Sequence, residues 1–335
     1  MLISVVVAVK NERPHIRKCI EALSRQNYAP YEVIVVDGMS TDGTYELLEE
    51  LQETHDFRLL RNPLENAAAG RNRGIETARG DIVAFVDGDA VPSDDWLSQI
   101  SRLFVEHDVA GVGGPDLLPG DSIYKSKAIG RVMTSPLARG GQFNPSTQHT
   151  MEKGTSYVDH IPTCNLALRR SVVEEVGMFD EAFVKGQDLE LNHRIRRAGH
   201  RLLYSSRVRV VHYRKQHIRH FARQIYKWAK AKVAIVKKHG LQGLLSHVYL
   251  WPAYGLTGLL GALALFWFLG ILDWLVVLLF LGGVAYAMAI ALESVRLAHG
   301  YHDIRLFLYA LLLLPGVHVS YAYGVLYALL RRRIW

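Results

Sequence analysis

The sequence predicts a Rossmann-like α/β domain on a mixed, mostly parallel sheet, followed by basic interfacial helices and C-terminal transmembrane helices. Short β-branched runs alternate with amphipathic stretches over residues 1–110, and these runs are apolar on every side. Strands of this kind are typical of parallel sheets that helices cover on both faces. Three long uncharged runs near the end are long enough to cross a bilayer as helices.

Four strands are predicted in the α/β domain, at residues 4–9, 33–36, 57–60 and 82–86. Between them lie a helix with Ile16, Ile20 and Leu23 on one face, and helices near residues 45–51 and 68–78. Strands that alternate with helices in this way indicate a doubly wound sheet.

Charge is distributed unevenly along the chain. Residues 1–190 carry 19 basic and 29 acidic side chains, residues 191–272 carry 15 basic and no acidic ones, and the overall net charge is +7. Hydrophobic residues make up 50% of the chain and the cysteines are only Cys19 and Cys164. This composition excludes a disordered chain and a small disulfide scaffold.

Three regions are therefore predicted: an α/β domain at 1–215, a basic amphipathic segment at 216–247, and a membrane domain at 248–335. The membrane domain has about three expected spans, at 249–272, 274–292 and 306–330. Three such runs argue against the buried core helix of a soluble protein. Pro315, Gly316 and His318 leave a kinked or interfacial third helix open.

Polar side chains follow three of the predicted strands. Asn11 and Glu12 follow the first strand, Asp37 follows the second, and Asp87 and Asp89 follow the fourth. Ligands of parallel α/β sheets bind outside the carboxyl ends of the strands, so we expect a binding site at this edge. Neither GxGxxG after the first strand nor a GxxxxGK[ST] loop is present, which argues against a dinucleotide dehydrogenase and a P-loop NTPase.

Asp87 and Asp89 are one residue apart at the end of a very apolar strand. Two neighbouring carboxylates repel each other unless a cation or water screens them, and Mg²⁺ or Mn²⁺ prefers oxygen ligands of this kind. The pair alone leaves two interpretations open, a divalent metal site and a solvated turn.

Five segments in order and spacing resemble the family 2 glycosyltransferases with the GT-A fold. They are VVVAVKNE at 5–12, VIVVDGMSTDGT at 33–44, AGRNRGI at 69–75, GDIVAFVDGDA at 80–90 and GQDLELNHRIRRAG at 186–199. The resemblance covers about the first 215 residues. With its apolar C-terminal region, the chain is most similar to the membrane-attached branch of succinoglycan, or exopolysaccharide-type, transferases.

The resemblance implies a role for particular residues. It implies nucleotide-sugar contacts, a metal or ribose motif, a catalytic base and a further metal ligand, in that order: Ala8, Asn11, Glu12, Asp37 and Arg71; Asp87, Gly88 and Asp89; Asp188; and His212. The chain departs from the common VDDGS motif, since Gly38 follows Asp37 where the family usually has a second Asp. The nucleotide base is therefore less well determined.

Chemistry supports the same roles, although local patterns leave alternatives. A metal stabilises the charge on a leaving diphosphate, and a carboxylate such as Asp188 accepts the proton of an attacking hydroxyl. One base and no nucleophile predict inversion at the sugar. From the sequence pattern alone, Asp188 is equally well explained as a helix N-cap, and His212 as a hydrogen-bonded histidine at a strand end. Glu190 is expected to face away from the site.

Residues 194–238 carry 15 Lys or Arg and no acid. Ile218, Phe221, Ile225, Trp228 and Ile235 fall near one helical face, which predicts a helix in the headgroup plane that binds anionic membrane lipids. Nucleic-acid binding is the competing interpretation of such charge, and we do not expect it because the stretch directly precedes the first apolar run.

Within this stretch, residues 224–228 (QIYKW) are similar to the QxxRW signature of processive polysaccharide synthases, with Lys in place of Arg. Gln224, Lys227 and Trp228 are therefore weak candidates for acceptor or diphosphate contacts. A simple amphipathic helix explains the same residues.

The basic juxtamembrane charge predicts a multi-pass protein of the cell membrane with a cytoplasmic α/β domain. Three spans would place Arg331, Arg332 and Arg333 outside, against the same rule. The expected activity is metal-dependent, inverting transfer from a nucleotide-sugar donor, most simply a UDP-sugar, to a lipid-linked saccharide. Two alternatives stay open, a polyprenyl-phosphate acceptor and a non-catalytic nucleotide-sugar-binding scaffold.

Overall fold

A computed structural model describes residues 1–120, 122–138, 154–213, 218–240, 251–270 and 272–331. Two compact units are present, one formed by Met1–Ser122 with Asn144–Arg214 and Trp335, the other by Ile123–Phe143 with Lys215–Ile334. Residues 123–143 group with the second unit although they lie inside the predicted 1–215 domain, so the predicted division stays a proposal. The predicted boundaries near 215 and 247, with Tyr249, Leu250, Arg332 and Arg333, lie outside the described residues.

Strands and helices alternate through the first unit, and helices dominate the second. In chain order the elements are β1 (Ile3–Val9), α1 (Ile16–Ser24), β2 (Tyr31–Asp37), α2 (Thr44–Gln52), β3 (Arg58–Arg61), α3 (Ala67–Thr77), β4 (Ile82–Val86), β5 (Ala90–Pro92), α4 (Trp96–Glu106), β6 (Gly111–Gly113), β7 (Asp116–Leu117), α5 (Tyr124–Val132), β8 (Thr155–Val158), β9 (Asn165–Arg169), α6 (Arg170–Glu175), α7 (Gln187–Arg197), β10 (Leu202–Ser205), β11 (Val210–His212), α8 (Ile218–His239), α9 (Trp251–Phe268), α10 (Leu272–Gly300) and α11 (Arg305–Leu330). The four predicted strands and the three helices between them are confirmed.

The main sheet has eight strands in the order β3-β2-β1-β4-β9-β6-β10-β8. Strands β1 to β4 are parallel, whereas β9 runs antiparallel to both of its neighbours, β4 and β6. Val9 of β1 is level with Asp37 of β2, and Val6 is level with Phe85 of β4. The carboxyl ends of these three strands therefore meet at one edge, as the mostly parallel sheet predicted.

Apolar layers cover both faces of the sheet. Successive side chains of β1 alternate between the faces, so Val5 and Val7 pack with α1, α2 and α4, while Val6 packs with α3, α6 and α7. Trp96 of α4 is fully buried, and its indole N–H donates to Asn165 Oδ1 of β9 at 2.8 Å. Burial on both faces explains why β1, β2 and β4 are almost entirely apolar.

A small second sheet, β5-β11-β7, lies in the same unit. His212 of β11 pairs with Ala90 of β5, and Val210 pairs with Asp116 of β7. This pairing brings the segment after β4 next to a strand that follows it by more than a hundred residues.

In the second unit, α8 packs along α11. Phe221 and Ile225 of α8 share a buried cluster with Leu313 and Val317 of α11, and Trp228 packs against the same cluster. The apolar face predicted for the bilayer surface is thus covered by protein in this unit. The Lys237 ammonium donates to the carbonyl oxygens of Ala328 at 2.7 Å and Arg331 at 2.7 Å, which stabilises the C-terminal end of α11.

Two helices are long and apolar enough to cross a membrane, Asp273–Gly300 and Arg305–Leu330. A third apolar helix, Ala253–Phe268, is shorter. The last of the predicted spans is one continuous helix with Pro315 inside it. Three membrane spans stay a proposal.

Gly324 allows α8 and α11 to approach closely. A Cβ atom at this position would lie 2.6 Å from the Tyr226 carbonyl oxygen and 2.7 Å from Ala229 Cβ. Both distances are shorter than van der Waals contact, so a larger residue requires the helices to separate.

Gly324→Ala is expected to lower the free energy of unfolding of the second unit by about 1–3 kcal/mol, because an added methyl group overpacks the crossing. Gly316→Ala is the matched control in the same helix, since nothing lies within 4 Å of its Cβ position. Thermal unfolding of the full chain in detergent measures both variants. Equal melting temperatures for the two would contradict the packing described here.

Candidate active site

The loops after β1 and β2 are joined to each other at the edge of the sheet. The Asn11 backbone N–H donates to Ser40 Oγ at 2.9 Å, and the Thr41 N–H donates to Asn11 Oδ1 at 2.8 Å. The Glu12 N–H donates to Thr44 Oγ1 at 2.9 Å. These hydrogen bonds hold two predicted nucleotide-binding residues in one ordered surface. Ala8 is the partly exposed residue of an otherwise buried β1 and lies at the same end.

Asp37 ends β2 and is only 1% exposed. Its Oδ2 atom accepts from the Ser40 N–H at 3.0 Å, whereas its Oδ1 atom has no hydrogen-bond partner among the described residues. A buried carboxylate oxygen without a donor is costly. A ligand that brings an N–H or O–H group here would remove that cost.

Arg71 of α3 joins two parts of the candidate site. Its Nη2 atom donates to Asp87 Oδ1 at 3.1 Å, and its Nη1 atom donates to Gln187 Oε1 at 2.9 Å. The side chain is nearly buried, so both contacts are shielded from water. Arg71 therefore links the segment after β4 to the start of α7.

Asp87, Asp89 and His212 each offer one ligand atom, and these atoms all lie within 4.8 Å of one another. Asp89 Oδ1 is 2.9 Å from His212 Nε2. Gly88 lies between the two aspartates, and a Cβ atom there would be 2.6 Å from Val9 Cγ1, so a side chain would clash with β1. Two carboxylates and one imidazole fit Mn²⁺ well and are also compatible with Mg²⁺.

The other side of His212 faces a buried carboxylate that sequence reasoning missed. His212 Nδ1 is 3.3 Å from Asp116 Oδ2, and the Cys164 thiol donates to the same oxygen at 3.5 Å. Burial disfavours the charged imidazolium, but the hydrogen bond with Asp89 outweighs burial and raises the pKa of His212 well above 6.5. Burial also raises the pKa of the Cys164 thiol.

Asp188 lies in the first turn of α7, and its side chain is 24% exposed. Its Oδ2 atom is 3.4 Å from His160 Nε2, and its Oδ1 atom accepts from the Leu189 N–H at 2.9 Å. Burial by itself would raise the pKa of Asp188, but His160, Leu189 and the nearby Arg71 lower it to about 2. The N-cap of α7 is Gly186, so the N-cap explanation of Asp188 is wrong.

The acidic pair and Asp188 lie near the same buried thiol. Asp87 and Asp188 both add to the raised pKa of Cys164. Arg71, which contacts Asp87, also lowers the pKa of Asp188. The structure therefore brings together residues that are about a hundred positions apart in the chain. Their assignment to base, metal and donor contacts stays a prediction.

The weak acceptor candidates lie elsewhere in the chain. Gln224 is exposed on α8 of the second unit, while Lys227 and Trp228 are half-buried there. Their proposed contact with an acceptor or diphosphate stays a prediction.

Sequence reasoning missed Asp116, Cys164, His160 and Gln187 as members of this site. Asp116 follows a glycine-rich turn and His160 precedes Ile-Pro, and neither context is a motif. Gln187 directly precedes Asp188, which is the one signal that was available.

A sheet of this order, with an acidic pair after β4 and a carboxylate at the start of a later helix, defines the class of GT-A glycosyltransferase folds. A solved structure of the same fold is the mannosyltransferase PcManGT from Pyrobaculum calidifontis in complex with GDP-Man and Mn²⁺. Its TM-score is 0.61 at 20% identity, over 95% of this chain and 86% of that chain.

The chain belongs to glycosyl transferase family 2, whose family model matches residues 4–177. The model of glycosyl transferase family 21 matches residues 149–334. The resemblance seen in the sequence motifs is therefore confirmed.

Several curated proteins are similar to this chain. Glycosyltransferase AglE of Haloferax volcanii is 32% identical over 212 residues, which are 62% of this chain and 65% of AglE, so the chain spans less than two thirds of that relative. A dolichyl N-acetyl-alpha-D-glucosaminyl phosphate 3-beta-D-2,3-diacetamido-2,3-dideoxy-beta-D-glucuronosyltransferase of Methanococcus voltae is 26% identical over 88% of this chain and 87% of its own length. Succinoglycan biosynthesis protein ExoA of Rhizobium meliloti is 26% identical over 70% of each chain, in agreement with the expected exopolysaccharide-type similarity.

Glu190 fixes the helix that carries Asp188. It is fully buried, and both of its oxygens accept from Arg194, at 3.0 Å and 2.7 Å. Arg194 also donates to the Met178 carbonyl at 2.6 Å and to the Val176 carbonyl. Glu190 thus faces away from the candidate site, as expected, and ties α7 to the preceding loop.

Glu190→Ala is expected to lower the free energy of unfolding by about 3 kcal/mol, because it leaves the Arg194 charge partly buried without its partner. Glu174→Ala is the matched control, since Glu174 and Arg170 form an exposed i,i+4 pair 3.7 Å apart. Its loss should cost less than about 1 kcal/mol. Urea unfolding of both variants measures the difference, and similar midpoints would contradict the anchoring role of Glu190.

Proposed function

We propose that this protein is a metal-dependent, inverting glycosyltransferase that moves a sugar from a nucleotide-sugar donor to a lipid-linked saccharide at the cytoplasmic face of the membrane. The observation that carries this proposal is the Arg71 bridge between Asp87 and Gln187, the residue before Asp188. Through it, an acidic pair suited to a diphosphate-bound metal and an ionised carboxylate suited to a base share one edge of the sheet.

Asp87, Asp89 and His212 would hold the divalent metal, because their ligand atoms converge within 4.8 Å. A bound Mn²⁺ or Mg²⁺ would neutralise the charge that develops on the leaving diphosphate. Arg71 would add positive charge beside Asp87 and orient that carboxylate.

The nucleoside would lie over the surface formed by the loops after β1 and β2. Asp37 supports this placement, since its buried Oδ1 atom needs a donor and a base edge supplies N–H groups. Ala8, Asn11 and Glu12 would line the same surface. A UDP-sugar is the simplest donor, although glycine at position 38 leaves the base less determined.

Asp188 would accept the proton of the attacking hydroxyl. With a pKa of about 2 it is ionised at neutral pH, and His160 holds one of its oxygens in place. A single carboxylate without a nucleophile supports direct displacement and inversion.

The relative from Methanococcus voltae, which this chain matches over 87% of the relative's length, supports a lipid-linked acceptor because its name specifies a dolichyl phosphate-linked sugar. An ionised base favours a sugar hydroxyl over a polyprenyl phosphate, which is already anionic. The two long apolar helices and the basic residues of α8, such as exposed Arg223, support attachment to an anionic membrane surface.

Asp188→Asn is expected to lower kcat by about 10²–10⁴ while donor binding is retained, because only proton removal is lost. The assay supplies UDP- and GDP-sugars with two acceptors in separate arms, a lipid-linked saccharide and a polyprenyl phosphate, and identifies products by mass. Asp94→Asn is the matched control, an exposed carboxylate 3.7 Å from Arg25. Product from the polyprenyl phosphate arm alone would overturn the acceptor assignment. Donor binding without product in either arm would favour the scaffold alternative.

His160→Ala is expected to raise the pKa of Asp188, since the largest contribution that lowers it is removed while burial still raises it. The base works only when ionised. In the wild type it stays ionised as pH falls to about 2, so the acid limb of kcat/KM should move to higher pH in the variant. Profiles of kcat/KM against pH for both proteins test this. Superimposable acid limbs would show that His160 does not set the ionisation of Asp188.

A further inference from the structure

His212 lies between two carboxylates, one on each ring nitrogen. Nε2 is 2.9 Å from Asp89 Oδ1, and Nδ1 is 3.3 Å from Asp116 Oδ2. The ring is 10% exposed and Asp116 is 1% exposed, so water competes little for either contact. Asp116 belongs to neither the DxD motif nor any other segment that resembles the family.

The neutral imidazole ring has one N–H group and one lone pair, and the hydrogen bond of one nitrogen decides which nitrogen ligates a metal. An ionised carboxylate only accepts hydrogen bonds. The Cys164 thiol also donates to Asp116 Oδ2, so that oxygen already acts as an acceptor. Nδ1 must then carry the hydrogen, and the lone pair is on Nε2, on the side of Asp89.

We propose that Asp116 is a positioning residue that fixes the tautomer of His212 and thereby gives the metal site its preference for Mn²⁺ over Mg²⁺. This inference rests on the proposed metal role of Asp87, Asp89 and His212. Imidazole is a good ligand for Mn²⁺, whereas Mg²⁺ strongly prefers oxygen ligands and keeps its waters. Presenting Nε2 therefore favours one metal over the other.

Strand pairing explains how Asp116 reaches this position. β7 begins at Asp116 and pairs in parallel with β11, where Val210 is level with Asp116 and His212 lies two residues further on. The two side chains are 96 residues apart in sequence. Side chains two residues apart in a strand point to the same face, so the pairing puts Asp116 and His212 on one side of the small sheet.

Asp116→Asn is expected to weaken Mn²⁺ binding by about 10- to 100-fold and Mg²⁺ binding far less. The amide group of Asn also donates hydrogen bonds, so it stabilises the tautomer in which Nε2 carries the hydrogen. The experiment uses the full chain with Mn²⁺ alone, measures free Mn²⁺ by electron paramagnetic resonance, and obtains Mg²⁺ affinity by competition. Asp116→Glu retains a carboxylate and is expected to keep most of the Mn²⁺ preference.

A double-mutant cycle separates this role from general damage to the fold. His212→Asn alone and together with Asp116→Asn should bind Mn²⁺ equally weakly, because Asp116 acts only through His212. Cys164→Ala is the matched control, since it removes the other donor to Asp116 and leaves the Nδ1 contact; its Mn²⁺ affinity should stay close to that of the wild type.

Three results would overturn the inference: no Mn²⁺ binding by the wild type, equal loss of Mg²⁺ and Mn²⁺ in Asp116→Asn, or a further loss in the double variant. Melting temperatures identify any variant that has not folded, and Asp116→Glu then supplies the comparison. Neither donor nor acceptor is present, so failure of sugar transfer would leave the metal result intact.

Discussion

Repulsion among carboxylates at one edge of the sheet is the constraint on which the first unit depends. Asp87, Asp89 and Asp188 lie there beside an apolar core, where burial penalises every charge. Arg71 and His212 are the cationic groups that offset this repulsion through direct contacts with Asp87 and Asp89. Because Arg71 is also held by Gln187, and His212 faces Asp116, charge balance and geometry are set together.

An edge of this kind is expensive for folding and useful for chemistry. Buried polar atoms such as Asp37 Oδ1 have no partner among the described residues, and the pKa values of His212 and Asp188 are moved in opposite directions by their neighbours. Perturbed groups of this kind cluster at functional sites. The rigid layers of helices on both faces of the sheet supply the stability that such a site requires.

The second unit uses its amphipathic pattern differently from the sequence prediction. The apolar face of α8 packs on α11, and Gly324 allows the two helices to cross closely. Lys237 is used to satisfy the end of α11. Periodicity identified an apolar face correctly, but it could not distinguish a neighbouring helix from a lipid surface, because both offer the same apolar environment.

The sequence alone determined the strands β1 to β4, the helices between them and the polar residues at the strand ends. Apolar spacing encodes these elements locally, and parallel pairing then necessarily places Asn11, Asp37 and Asp87 at one edge. Only the tertiary structure decided that β9 runs antiparallel, that His160 lies beside Asp188, and that Asp116 faces His212. These contacts depend on which distant segments pair and in which register, and no local pattern of side chains carries that information.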